Sequence, residues 1–126
     1  MRLALALLAL TVASVPAAAQ FPPDSTVNLR ILPRQMPVRE VIDVMRGFTS
    51  ALGVRCQYCH IGDESEPLSE FDFVSDDMPA KAKAREMMEM VAAINRDWLD
   101  SLPRRSTPAV DVRCVTCHRG QARPVM

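Results

Sequence analysis

Across 126 residues, 15 Lys and Arg balance 15 Asp and Glu, and no long basic stretch offers a footprint for nucleic acid. The length bounds the chain to one domain. With one Trp, one Tyr and four Phe, its own aromatic contribution to a core is thin.

Residues 1–19 open with a single cation, Arg2. An apolar run follows from Leu3 to Leu10 and on through Val12, and the small residues Ala17-Ala18-Ala19 close it. This is the pattern of a secretory signal peptide cleaved after Ala19, leaving a mature chain that begins at Gln20. A membrane anchor fits less well, because the run is short, alanine-rich and interrupted by Pro16. No Cys stands near its end for lipid attachment. Residues 20–36 form an extended lead-in, since Pro22, Pro23 and Pro33 prevent a continuous helix. Leu29, Ile31 and Leu32 are expected to pack it onto the body.

The rest, residues 37–126, reads as two successive units, 37–78 and 79–126. In the first, a helix is predicted from Pro37 to about Leu52, with Val38, Val41, Ile42, Met45, Phe48 and Leu52 at helical spacing on one face. Gly53 is its stop. Residues 61–78 read as an acidic, polar loop, a solvated face around Phe71 and Phe73. A second helix is predicted from Pro79 to about Leu102, with Met87, Val91, Ile94 and Trp98 as its apolar stripe. Asp76 and Asp77 precede it, at the positive end of its dipole. A connector with Pro103 and Pro108 follows. The expected fold is all-α, two helix-plus-motif units with long loops.

Each unit contains Cys-x-x-Cys-His: Cys56-Gln57-Tyr58-Cys59-His60 and Cys114-Val115-Thr116-Cys117-His118. Together they use all four Cys and both His of the chain. The pentapeptide is the attachment signature of c-type haem. Two thiols spaced by one turn add to the two vinyl groups of one porphyrin, and the adjacent imidazole becomes the proximal iron ligand. Two covalently attached haem c groups are therefore expected, and they would supply the apolar surface that the polypeptide lacks. A disulfide framework, a zinc site or a redox dithiol would each use such cysteines. None of them requires a His directly after the second Cys, twice.

Without a third His, the sixth ligand at each iron falls to the soft thioether of Met, which raises the potential. Met45 lies on the apolar face of the first helix, and Met87, Met88 and Met90 lie on the second. Met36 and Met78 stand beside prolines at helix starts.

Met45-Arg-Gly-Phe-Thr-Ser-Ala-Leu-Gly-Val-Arg-Cys56-Gln-Tyr-Cys-His60 resembles the family of the photosynthetic reaction-centre cytochrome c subunit. So does Ala84-Arg-Glu-Met87-Met-Glu-Met-Val-Ala-Ala-Ile94-Asn95-Arg-Asp-Trp98, with Cys114-Val-Thr-Cys-His118-Arg119-Gly120 after it. In that family a helix precedes each haem motif and usually provides a Met as sixth ligand. The resemblance thus implies Met45 for the first haem and Met87, rather than Met88 or Met90, for the second. The family subunit carries four haems in two pairs, and one of its haems takes a His from outside its own unit. This chain has one pair, no further His and no lipid-attachment Cys, so a half-size relative, free or peripherally bound, is implied.

The expected function is single-electron transfer outside the cytoplasm by a protein that is not itself an enzyme. Its partners would be redox donors and acceptors, including a membrane-bound electron-transfer complex. Two alternatives stay open: a five-coordinate haem protein acting as peroxidase or gas sensor, and a haem subunit of a larger redox complex. Arg119 is a candidate partner for a haem propionate.

Overall fold

The computed structural model describes residues 20–103 and 106–125. The expected signal peptide, Met1–Ala19, lies outside the described residues. The chain is helical, as its patterning requires: α1 spans Val38–Leu52, α2 spans Pro79–Ala93 and α3 spans Cys114–His118. Single 3-10 turns occur at Cys56–Tyr58 and Leu68–Glu70. One isolated antiparallel bridge joins Ile61 and Asp72. No helix among the described residues is long and apolar enough to cross a membrane.

α1 follows its sequence closely. Val41, Met45, Phe48 and Leu52 fall on one stripe, and Val41 is buried. The helix ends where Gly53 takes the left-handed conformation (φ 66°, ψ 33°) and donates its N–H to Thr49 O. Val54 N–H reaches the same carbonyl at 3.2 Å, a glycine-terminated cap. α1 and α3 pack together at this end. Gly120, two residues after the second motif, donates its N–H to Ala51 O at 2.8 Å. The Gly120 carbonyl occupies the space into which a Cβ on Gly53 would project. Gly53 is therefore required twice, for its backbone conformation and for this close approach.

α2 begins with Pro79 at its first turn, where the missing N–H costs nothing. It differs from expectation at its end. Rather than continuing as α-helix to Leu102, it widens into a π-helical segment over Ile94–Leu99 and closes with a turn in which Leu102 N–H meets Leu99 O. Widening changes the angular step per residue. Trp98, expected on the Met87 stripe, is 71% exposed.

The lead-in is fastened more firmly than its prolines suggested. Leu29, Ile31 and Leu32 are partly covered, and Asn28 Nδ2 donates to Val74 O at 2.7 Å and to Asp76 Oδ1 at 2.9 Å. Among the described residues only Val41 and Ala51 are buried, and neither is large. So small an apolar interior leaves the backbone junctions with an unusual share of the work of holding the fold.

Gly53→Ala is expected to cost about 1–2 kcal/mol for the left-handed conformation alone, and displacement of Gly120 adds to that. A lowered urea midpoint at unchanged m-value checks this. An unchanged midpoint would show that the two motifs do not depend on this contact.

Candidate haem attachment sites

The first motif forms one tight turn. Cys59 N–H donates to Cys56 O at 3.1 Å, and His60 N–H to the same carbonyl at 3.0 Å. The second forms the short helix α3. Its start is fixed by Thr116, whose hydroxyl accepts Arg113 N–H at 3.0 Å while its own N–H donates to Arg113 O at 2.9 Å. Arg119, in the left-handed region (φ 50°), ends α3 and donates its N–H to Val115 O. All four cysteines are free thiols. Among the described residues no three Cys, His, Asp or Glu side chains gather as a metal cluster. Burial, with Cys56 beside it, pushes the Cys59 thiol up.

The two histidines sit in different surroundings. His118 Nδ1 lies 2.9 Å from Gln121 O. A carbonyl only accepts, so Nδ1 carries a proton, which leaves Nε2 as the nitrogen that a metal would take. His60 Nδ1 is buried with no hydrogen-bond partner among the described residues. Its ring stands edge-on to Phe73 with centroids 4.9 Å apart, and Phe71 and Phe21 pack on Phe73 in turn. Burial first, and then the nearby Lys81 ammonium, lower the His60 imidazole to about 4. It is neutral at pH 7 and has a lone pair to give. The donor set fits a c-type haem at each motif: two free thiols on one turn followed by an imidazole. Around these turns Tyr58, Val110 and Val115 expose apolar surface, which suits a flat apolar group.

The acidic loop does more than face solvent. Asp72 accepts the N–H groups of Val74 and Ser75, both at 2.8 Å. Asp76, expected at the helix dipole, is instead a junction. It pairs with Arg30 from the lead-in and with Lys81 and Arg85 from α2. Arg85 foremost, then Lys81 and Asn28, hold its carboxyl well below the usual range. Lys81 Nζ also donates to the carbonyls of Phe73, Val74 and Ser75 at 3.0, 3.0 and 2.6 Å. One ammonium thereby fixes the loop that sets Phe73 against His60.

Met45 is partly covered on α1. On α2, Met87 is 37% and Met90 44% exposed, while Met88 is partly covered. At 100° per residue, Met88 shares the Lys81 and Arg85 face, and Met87 stands about 120° from Lys81. Met87 thus points away from the side of α2 committed to the first unit. Met78 lines an open cleft of about 560 Å³ beside Gln57 and Tyr58, a placement its position next to Pro79 did not announce.

Asn95 is a site residue that apolar periodicity overlooks. Its Nδ2 donates to Val112 O at 2.9 Å and its Oδ1 accepts Val112 N–H at 2.8 Å. This two-point grip mimics a β-ladder pair and fixes the approach to Cys114 from the π-helical turn. Asn95→Ala leaves both Val112 groups unpaired and is expected to cost about 1–3 kcal/mol. Denaturant unfolding checks the size, and a loss under a few tenths of a kcal/mol would show that water replaces the side chain.

A family model described as photosynthetic reaction centre cytochrome C subunit matches residues 56–126. Cytochrome c-554 of Chloroflexus aurantiacus is 35% identical over 100 residues, covering 79% of this chain and 21% of that protein. The photosynthetic reaction center cytochrome c subunit of Thermochromatium tepidum is 30% identical over 118 residues, 90% of this chain and 26% of the relative. That of Roseobacter denitrificans is 35% identical over 69 residues, 55% of this chain and 17% of the relative. The chain therefore spans about a quarter or less of the length of the curated relatives it matches. With the match running from the first Cys of the first motif through the second motif, the chain belongs to the family of the photosynthetic reaction-centre cytochrome c subunit.

Proposed function

We propose that this c-type cytochrome carries two haem c groups and passes single electrons on the extracytoplasmic side of a membrane. The observation that carries this reading is the pair of Cys-x-x-Cys-His turns, with all thiols free, gathered at one end of α1. Cys56 and Cys59 would hold the first haem and Cys114 and Cys117 the second, with His60 and His118 as proximal ligands. When bound, each haem supplies an iron that alternates between ferric and ferrous, one electron at a time.

The chain's own residues do the rest. The Gln121 carbonyl orients His118 and keeps its proton on Nδ1. Phe73 walls His60 from water. Met45 and Met87 are the proposed sixth ligands. Met45 lies on the Val41 stripe of the helix preceding the first motif, and Met87 on the face of α2 turned away from the Lys81 junction. Exposed Arg119 would meet a propionate. No acid–base group is required, so the protein acts as a carrier and not as an enzyme.

The Ala17-Ala18-Ala19 leader proposed from the sequence supports the location. Relatives named as reaction-center subunits support a membrane-bound redox complex as the partner. The two Cys-x-x-Cys-His motifs of this chain support a two-haem carrier or peripheral subunit.

Met87→Ala is expected to leave both haems attached and open the second ferrous iron to carbon monoxide; Met45→Ala does the same at the first, and Met78→Ala opens neither. Optical titration with carbon monoxide reads this out. Carbon monoxide binding by the unaltered protein would instead favour a five-coordinate gas-binding or peroxidase haem.

A further inference from the structure

The two motifs share a sequence pattern but not an electrostatic setting. We propose that Lys81, supported by Arg85, gives the site at His60 the higher reduction potential of the two, so that a single electron rests at the first motif. This rests on the two-haem reading above.

Two independent features support the ordering. The first is fixed charge. Lys81 and Arg85 stand one turn apart on α2, with only 12% and 17% of their side chains exposed. Three loop carbonyls hold Lys81 Nζ in place. Lys81 Nζ donates to the carbonyl of Phe73 at 3.0 Å, and the Phe73 ring stands edge-on to His60 with centroids 4.9 Å apart, which places the ammonium beside the first site. Asp76 does not cancel them, because one carboxylate is shared among Arg30, Lys81 and Arg85. A sheltered cation beside an electron-accepting centre favours its reduced state, and shelter from water preserves the effect.

The second feature is the hydrogen bond behind each imidazole. Donation from His118 Nδ1 to Gln121 O makes Nε2 a stronger electron donor, and that favours oxidised iron. His60 Nδ1 has no acceptor among the described residues and is the weaker donor. Both features raise the first site relative to the second.

The test is a spectroelectrochemical titration of the holoprotein, after pyridine haemochrome has established two haems per chain. A count other than two would refute the two-haem reading itself, separately from the ordering. Two one-electron waves are expected. Lys81→Met should lower the higher wave and leave the other in place, Arg85→Gln should lower the same wave by less, and Lys81→Arg should restore it. Helical circular dichroism identifies any variant that misfolds, and Arg85→Gln, which leaves the loop carbonyls held, then decides. Coincident waves, a shift confined to the lower wave, or no shift in either would overturn the proposal.

Discussion

The arrangement depends on one backbone contact. Gly120 N–H donates to Ala51 O where α1 ends, and Gly53 turns left-handed beneath the Gly120 carbonyl. This contact makes neighbours of two motifs that lie nearly sixty residues apart in the chain. Among the described residues few buried side chains exist to do so: Val41 and Ala51 are small, and large apolar residues such as Trp98 and Val110 stand exposed. A chain with so slight an interior is positioned by caps, junctions and its cofactor sites more than by a continuous core.

The Asp76 junction is the polar counterpart. It joins the lead-in through Arg30 and Asn28, and α2 through Lys81 and Arg85. Lys81 extends the junction to the loop carbonyls and so to Phe73 and His60. Structure and tuning meet in the same residues here. The cations that fasten α2 to the first unit also set the field at its imidazole.

Much of this was legible in the sequence. The motifs use every Cys and His of the chain, so the proposed site chemistry could be read from the sequence alone. α1 was readable from its unbroken Val41–Met45–Phe48–Leu52 stripe and from Gly53 at its end. α2 was readable to Ala93 and no further, because the widening at Ile94–Leu99 arises where Asn95 gives both ends of its amide to Val112, seventeen residues on. Apolar periodicity carries no trace of that pairing. The acidic loop was read as solvated because its charges look alike in sequence. Asp76 differs from Asp63 only in having Arg30, Lys81 and Arg85 brought to it in space. The second-site contrast was hidden for the same reason, since the acceptor behind His118 is a backbone carbonyl whose position depends on the turn after α3.

Membership of the reaction-centre cytochrome family and the two free-thiol turns lead to one central claim: both motifs are loaded. The measurement that tests it most directly is the haem-to-protein ratio, by pyridine haemochrome together with intact mass, on protein made with a cytochrome c maturation system. The account predicts two covalently attached haems per chain. A ratio of one would leave a motif idle and remove the pairing on which the electron-transfer account rests; a ratio near zero would contradict the assignment of these cysteines and histidines altogether.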